Sequence, residues 1–332
     1  MVSMPINQER QIAIQAVIEA TQLCQQVRAQ LNQTERMLKE DRSPVTVADF
    51  GAQALILDRL HLAFPDIPVV AEEDAADLLE PQQAVIRERV VNHVRAIRAD
   101  LDEPAIIAAI NRGNYSGGKS GRYWTLDPID GTKGFLRNDQ YAVALALIEE
   151  GQVILGVLGC PSLPIEGVEP TGAVGGCLLV AEKGQGAQLL SMQGECIRTV
   201  RVTGVSDPVE AIICESVESG HSRHDHTARI AQVLRINRPS IRMDSQCKYA
   251  TVARADASIY LRLPTRPGYE EKIWDHAAGA IVVEEAGGKV TDMHGKPLNF
   301  SMGRTLKNNQ GVVATNGLLH NAVIAAIADE SF

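Results

Sequence analysis

The hydrophobic pattern of the first half of the chain predicts helices followed by a few strands. Over residues 8–38, apolar side chains lie near one helical face and glutamine and arginine lie opposite, which is typical of a long amphipathic helix. Ser43-Pro44 interrupts this pattern, so we expect a loop over 39–46 and a second helix that starts near Asp49. The other elements predicted here are an end of that helix near 62, a strand at 69–71, helical sequence at 80–111, a glycine-rich loop at 113–121, a short strand at 124–126 and a hairpin of 141–147 with 153–158.

The second half of the chain alternates short apolar strands with helical segments. Alternation of this kind favours α/β layering, whereas the first half reads as α+β. Proline and glycine are frequent over 161–176, so we expect a boundary there between an N-terminal domain, 1–160, and a C-terminal domain, 161–332. The predicted strands are 177–182, 211–215, 240–244, 257–262 and 311–315, and the predicted helices are 223–235, 247–255, 274–286 and 317–329.

Composition narrows the class of protein without identifying it. The 332 residues are 45% hydrophobic and 22% charged, which is ordinary for a globular protein, and the net charge of -9 argues against non-specific nucleic-acid binding. The six cysteines form no C-x-x-C pair, and the N-terminus lacks the apolar core of a signal peptide. No apolar run approaches the roughly 20 residues that span a membrane. We therefore expect a cytoplasmic protein with free thiols and no membrane or nucleic-acid partner.

Two aspartates three residues apart, Asp127 and Asp130, are the strongest chemical signal. Trp124 to Leu126 predict a short buried strand, Pro128 is expected to stop it, and Gly131 is expected to turn the chain. The two carboxylates would then leave a strand end close together, and their mutual repulsion requires a neutralising charge. Mg²⁺ prefers carboxylate, carbonyl and water oxygens, and phosphate chemistry is a common reason to build such a site.

Other acidic and hydroxyl groups have both a structural and a functional interpretation. Glu72-Glu73-Asp74 follow the strand at 69–71 and are either metal ligands or a solvated acidic loop. Asp275 precedes an apolar segment and could be a helix N-cap, although the small residues 277–279 would also let a phosphate approach a helix N-terminus. Thr132 could orient a water beside the aspartate pair or satisfy a turn, and Asp49 could be only a cap.

A set of basic and polar residues in the second half could hold an anion. Lysine and arginine are the natural partners of phosphate oxygens, and arginine binds them as a bidentate fork. Each such residue, taken alone, is more often a surface charge. The candidates lie at predicted strand ends and loops: His221, His224, Ser245, Lys248 and Arg262.

The segment Gly113 to Ser120 matches the P-loop pattern G-x-x-x-x-G-K-[ST] letter for letter. That motif binds phosphates only between a preceding strand and a following helix. Here the predicted order is reversed, with a helix before the loop and a strand after it. We therefore do not interpret Lys119 as a phosphate-binding lysine.

Three motifs together resemble the signatures of the lithium-sensitive inositol monophosphatase superfamily. They are Glu72-Glu73, the run from Asp127 to Thr132, and the run from Trp274 to Gly279. Their surroundings are similar to the 3'(2'),5'-bisphosphate nucleotidases, and the resemblance covers nearly the whole chain. The supporting segments are Ser43 to Thr46, Gly121 to Trp124, Lys133 to Arg137, Asp139 to Val143, Gly220 to Ser222, Asp244 to Gln246 with Lys248-Tyr249, and Tyr260 to Pro264.

The resemblance implies a layered α/β/α/β/α sandwich and Mg²⁺-dependent hydrolysis of the 3'-phosphate of adenosine 3',5'-bisphosphate to AMP, and often of 3'-phosphoadenylyl sulfate. It implies a lithium-sensitive enzyme of sulfur metabolism with two to three ions, and we expect a monomer. The resemblance implies a first ion held by Glu72, Asp127 and the carbonyl of Ile129, a second held by Asp127, Asp130 and Asp275, and a third reached by Glu72. It implies that Asp49 and Thr132 form a relay that activates the attacking water. It also implies that the nucleotide is bound by Thr132, His221, Ser245, Lys248 and Arg262.

Three other functions remain open on the sequence. The nearest is a phosphatase of the same superfamily that acts on inositol phosphates, although the surroundings of Lys248 and Arg262 favour a nucleotide. A catalytically silent nucleotide sensor would need the same fold, yet every implied ligand carboxylate is present. A P-loop kinase would depend on Lys119.

Overall fold

The computed structural model describes residues 6–34, 43–168, 175–217, 224–266 and 268–329. The predicted end of the first helix, residues 35–38, and the nucleotide-binding candidate His221 lie outside these ranges. The helices are α1 (Asn7–Thr34), α2 (Ser43–Ala63), α3 (Ala75–Leu79), α4 (Ala84–Ile97), α5 (Glu103–Asn111), α6 (Thr132–Arg137), α7 (His224–Val233), α8 (Cys247–Ala253), α9 (Ala277–Glu285) and α10 (His320–Asp329), with 3₁₀ turns at Pro81–Gln83 and Pro208–Glu210.

The strands form two sheets that follow each other along the chain. The first sheet has the order β1-β2-β3-β4-β5-β6-β7 and is antiparallel except for the β1–β2 pair; the second has the order β11-β12-β10-β8-β9. The strands are β1 (Val69–Ala71), β2 (Arg122–Asp130), β3 (Ala142–Glu149), β4 (Gln152–Cys160), β5 (Cys177–Glu182), β6 (Gly186–Ser191), β7 (Cys196–Val200), β8 (Ile213–Glu215), β9 (Ile241–Arg242), β10 (Ile259–Arg262), β11 (Lys289–Thr291) and β12 (Val312–Thr315).

Three hydrophobic cores hold five layers together, and the middle helices lie within the second core. Helices α1 and α2 pack on the outer face of the first sheet, α8 and α9 lie between the sheets, and α7 with α10 cover the outer face of the second. The alternation of β3 shows why this works: Val143, Leu145 and Leu147 face the outer helices, while the small Ala144 and Ala146 face the inner core. The predicted α/β/α/β/α sandwich is therefore confirmed.

The second helix begins earlier than the sequence pattern suggested. We expected a loop through Thr46 and a helix from Asp49, but α2 starts at Ser43. Pro44 lies in the first turn, where a backbone N–H has no partner within the helix, so proline starts this helix instead of breaking it. Asp49 consequently lies inside α2 and is not its cap.

The first sheet extends further along the chain than predicted. Strands β6, β7 and, in the second sheet, β11 were missed, and the helical sequence at 80–111 divides into a 3₁₀ turn, α4 and α5. The predicted domain division at residue 160 falls between β4 and β5, which pair directly through Cys160 and Cys177. The change from one sheet to the other occurs between Val200 and Ile213; the two-domain division stays a prediction.

Two further expectations concern the cysteines and membrane-spanning segments. All six cysteines are free thiols, as expected, and only Cys196 is exposed. Within the described part of the chain, no helix combines the length and the apolarity needed to cross a membrane.

Candidate active site

A cleft of about 470 Å³ opens between the ends of the two sheets. Its lining combines acidic residues from the first sheet with basic residues from the second, and it brings together most of the predicted site. The lining residues that concern the site are Glu72, Asp127, Ile129, Asp130, Gly131, Thr132, Lys133, Ser245, Lys248, Arg262, Arg266, Tyr269, Glu271 and Asp275.

A β-bulge places Asp127 and Asp130 on the same side of β2. We predicted that Pro128 would end this strand, but β2 continues to Asp130. Asp127 pairs with Ala144 and Asp130 with Ala142, so three steps on β2 match two on β3. In a regular strand, residues three apart face opposite sides, and one extra residue corrects this. Proline is tolerated because β1 pairs with β2 only as far as Leu126.

The acidic residues of this wall raise each other's pKa. Burial raises the pKa of Glu72 to about 8, and the charges of Glu73 and Asp275 add to the effect. Burial and the charge of Asp275 raise the pKa of Asp130 to about 6, although Lys248 opposes them. The charge of Glu72 in turn raises the pKa of Asp127.

Asp127 and one further carboxyl group, that of Asp49, are the most deeply buried of this cluster. Asp49 is 5% exposed and Asp127 is 2% exposed, and burial raises the pKa of each well above its usual range. The next cause is the charge of Glu73 for Asp49 and the charge of Glu72 for Asp127. One oxygen of each, Oδ1, has no hydrogen-bond partner among the described residues. Buried carboxylate oxygens without a donor are the ligand set that a hard divalent cation takes, so the donor chemistry fits Mg²⁺.

The opposite wall contains a buried ion-pair network around Arg262. Its Nη2 lies 2.8 Å from Glu271 Oε2 and 3.0 Å from Asp275 Oδ2. Burial would raise the pKa of Glu271, but Arg262 and a hydrogen bond from His276 outweigh it and lower that pKa to about 2. His276 Nδ1 lies 2.8 Å from the Tyr249 hydroxyl, so the network continues into the inner core.

Lys248 and Ser245 complete the cationic side of the cleft. Lys248 is 4% exposed, with Nζ 3.4 Å from the Met243 carbonyl and 5.3 Å from the centre of the Tyr260 ring. Burial lowers the pKa of Lys248, while the charge of Asp130 opposes that shift. Ser245 has a left-handed backbone, with φ of 67°, and its Oγ accepts a hydrogen bond from the Cys247 N–H.

Gly131 lets the two walls approach each other at the base of the cleft. Its φ is +88°, and a Cβ there would lie 2.8 Å from the Ser245 Cβ, so a larger residue would separate the walls. Thr132 begins α6 directly after it and is exposed to the cleft. No hydrogen bond described in the structure joins Thr132 to Asp49, so their relay stays a prediction.

The segment around Asp275 differs from both structural expectations. The N-cap residue of α9 is His276, and Asp275 instead accepts a hydrogen bond from Arg262. Gly279 does not admit a ligand, because a Cβ there would lie 2.2 Å from the Tyr249 ring and its N–H donates to Gln246 Oε1 at 2.9 Å. The small residues at 277–279 therefore serve helix packing.

Sequence reasoning missed several residues that hold the site together. Glu271 and His276 offer ligand atoms that lie, with those of the predicted Asp275, within 4.8 Å of one another, and Arg262 pairs with both carboxylates of this group. Gln53, on α2 with Asp49, binds the backbone of Glu73 through both ends of its amide. No local pattern marks such residues, because their partners are distant in sequence.

Arg304 connects the two walls from behind the cleft. Its guanidinium donates to the carbonyls of Ala71, at 2.5 Å, and Tyr115, at 3.0 Å, and lies 4.8 Å from the centre of the Trp274 ring. Ala71 precedes Glu72 and Trp274 precedes Asp275. The glycine-rich segment that begins at Gly113 is thus part of the scaffold, and it follows α5 and precedes β2, the reverse of P-loop order.

Comparison with known proteins agrees with this architecture. Solved structures with the same fold include an inositol monophosphatase from Anabaena (Nostoc) sp. PCC 7120, with a TM-score of 0.64, 19% identity and coverage of 98% of this chain and 97% of that one. The IMPase of Thermotoga maritima gives a TM-score of 0.62, 23% identity and 97% coverage of both chains. At these identities the likeness concerns the fold.

Sequence relatives are considerably more similar. A 3'(2'),5'-bisphosphate nucleotidase of Schizosaccharomyces pombe is 44% identical over 98% of this chain and 96% of its own, and that of Dictyostelium discoideum is 41% identical over 96% of both. The sequence model of the Inositol monophosphatase family matches residues 6–331. The chain therefore belongs to the inositol monophosphatase family and, within it, resembles the bisphosphate nucleotidases over nearly its whole length.

Proposed function

We propose that the protein is a phosphoric monoester hydrolase that converts adenosine 3',5'-bisphosphate to AMP and phosphate, and that 3'-phosphoadenylyl sulfate is a second substrate. The observation that carries the proposal is a cleft with clustered carboxylates on one wall and the cations Lys248 and Arg262 on the other. The similarity to bisphosphate nucleotidases supports the choice of substrate. The similarity to inositol monophosphatases of known structure concerns only the fold, so it gives no reason to prefer an inositol phosphate as the substrate.

The acidic wall, together with Asp275 from the opposite wall, would hold two to three Mg²⁺ ions. Glu72, Asp127 and the Ile129 carbonyl are the ligands we assign to the first, and Asp127, Asp130 and Asp275 those of the second, with Glu72 also reaching a third. When bound, such ions offset the charge of the phosphoryl oxygens and make a water more acidic.

The protein's own groups would then orient the reactants. Asp49 is buried beside the cluster and has an oxygen free of partners among the described residues, so it suits a proton acceptor acting through Thr132 on the attacking water. Lys248 and Arg262 would bind phosphate oxygens of the nucleotide, and Ser245 would donate its hydroxyl. Because Arg262 is fixed by Glu271 and Asp275, its fork is oriented before the substrate arrives. His221 is assigned to the nucleotide on sequence grounds.

Phosphate release from adenosine 3',5'-bisphosphate and from inositol 1,4-bisphosphate tests this assignment. We expect Mg²⁺-dependent release from the nucleotide, abolished by EDTA and inhibited by lithium, and much slower release from the inositol compound. Preference for the inositol compound would reject the substrate. Tight nucleotide binding by calorimetry in Mg²⁺, without turnover, would instead indicate a sensor. The cytoplasmic location, the role in sulfur metabolism and the monomeric state stay predictions.

A further inference from the structure

Gln246 precedes α8 and has a buried side chain that its own helix does not use. The residue is 2% exposed and is the N-cap of α8, but its side chain makes no capping hydrogen bond there. Instead, Nε2 donates to the Trp274 carbonyl at 2.8 Å, and Oε1 accepts from the Gly279 N–H at 2.9 Å. Both ends of the amide are therefore satisfied by the segment that carries Asp275.

The backbone of the same residue contacts the opposite wall of the cleft. The Gln246 N–H donates to Asp130 Oδ2 at 2.6 Å, a distance typical of a strong hydrogen bond to a carboxylate. Asp130 and Asp275 are assigned above to one ion, although they lie far apart in the sequence. Gln246 thus bonds directly to Asp130. It also bonds to the chain on both sides of Asp275, through the neighbouring Trp274 and through Gly279 in the first turn of α9.

We propose that Gln246 is a positioning residue that sets the separation and orientation of Asp130 and Asp275, and thereby the affinity of the site for a divalent cation. This inference rests on the proposed function. It assigns Gln246 no contact with the substrate. Residues that orient metal ligands in this way typically contribute ten- to a hundredfold in metal affinity, because carboxylates that are held in place need not be ordered when the ion binds.

The side chain has features that a purely space-filling residue would not need. A glutamine supplies a donor and an acceptor at the same distance from its Cα, which matches a carbonyl and an N–H on one segment. The N–H of Gly279 belongs to the first turn of α9 and has no partner within that helix, so Gln246 satisfies it from outside. Methionine would fill the same volume and make neither bond.

The test compares Gln246→Met with Gln140→Met. Gln140 is a matched control, because it is 5% exposed, donates one amide hydrogen bond to the Val168 carbonyl, at 3.0 Å, and does not line the cleft. Mg²⁺ alone is titrated into each protein by calorimetry, without nucleotide. We expect Gln246→Met to bind Mg²⁺ about ten- to a hundredfold more weakly than the parent protein. Gln140→Met should bind with unchanged affinity even though it also loses a buried hydrogen bond.

A second measurement covers the case in which Gln246→Met is too unstable for calorimetry. The rise in melting temperature caused by added Mg²⁺ is recorded for both variants and for Gln246→Asn, whose amide is one methylene too short to reach. We expect a smaller rise for both Gln246 variants than for Gln140→Met.

Equal Mg²⁺ affinity, or an equal rise, in the two methionine variants would reduce Gln246 to an ordinary buried hydrogen-bonding residue and overturn the inference. Absence of Mg²⁺ binding by the parent protein would be a different result, since it would reject the metal site itself and the proposed function with it.

Discussion

Both walls of the cleft carry charged groups, but the charges of the two walls are compensated differently. On the first-sheet wall, Glu72, Asp127 and Asp130 line one side of the cleft, and their pKa values are raised. On the second-sheet wall, the pKa of Glu271 is lowered to about 2 because Arg262 and His276 neutralise it. Burial is therefore not what distinguishes the walls; the presence of a permanent counter-charge is.

This difference indicates what each wall still requires. Lys248 offsets only part of the charge of the acidic wall in the isolated protein, so an external cation has a large electrostatic effect there. The other wall is already compensated, and its arginine and lysine are held for an anion. A substrate that brings phosphate groups, together with the cations, would satisfy both walls at once.

The largest effect should follow from removing a carboxylate of the acidic wall. For Asp130→Ala we expect the rate of phosphate release to fall by more than about a hundredfold, because an ion loses a direct ligand. This loss should exceed the roughly ten- to hundredfold effect of removing a residue that only orients a ligand. The fold should be retained, since like-charge repulsion falls. Asp130→Asn is the matched variant, because it keeps an acceptor for the Gln246 N–H. Substantial activity of either variant would contradict the two-ion assignment.

A smaller effect is expected from the compensated wall. Arg262→Ala should raise the KM for the nucleotide by about ten- to a hundredfold, the range of a lost hydrogen bond between charged groups, with a weaker effect on kcat. Arg242→Ala is the control, because Arg242 pairs with Glu215 through a side chain that is 59% exposed. Steady-state kinetics in saturating Mg²⁺ measure both, and an unchanged KM for Arg262→Ala would remove this residue from the substrate site.

The acidic wall should also make stability depend on pH and metal. The pKa of Glu72 rises from 4.5 to about 8, so between these values the folded protein binds more protons than the unfolded chain. The stabilising protonation is complete below pH 4.5 and is lost as the pH rises through 8. We expect the melting temperature in EDTA to fall from pH 5 to pH 8. Glu72→Gln or added Mg²⁺ should flatten this decline; a parent profile that rises with pH would contradict it.

The smallest effect is expected in the glycine-rich loop. Lys119 is exposed and lies between α5 and β2, outside the residues that line the cleft. Lys119→Ala should therefore leave both kcat and KM unchanged in the phosphate-release assay. Loss of activity here, combined with an active Asp130→Ala protein, would favour a P-loop enzyme over the present assignment.

The acidic pair shows how far the sequence could lead. The sequence predicted that Asp127 and Asp130 leave a strand end close together, and both line the cleft, but the strand does not end at Pro128. A bulge was needed to bring both onto one side. The sequence pattern does not reveal this bulge, because it depends on where β1 stops pairing with β2 and on the partner residues of β3.

Helix boundaries failed for a related reason. Ser43-Pro44 is compatible both with a break and with a helix start, and only the packing of α2 against the first sheet decides between them. Strands β6 and β7 extend the first sheet at its far edge, where Gly186–Ser191 and Cys196–Val200 gave too short a pattern to be recognised. Long periodic segments such as α1 were predicted well, because they carry many residues of one period.

The sequence by itself determined the alternation of layers, the family and the residue types that the chemistry requires, since periodicity and motif composition are local properties of the chain. The tertiary structure decided which charges meet. Arg262 could have paired with any carboxylate, yet it binds Glu271 and Asp275 and leaves the carboxyl groups of Glu72 and Asp127 together. Charge interactions act through space between residues that are distant in sequence, so only the folded chain fixes which wall is compensated.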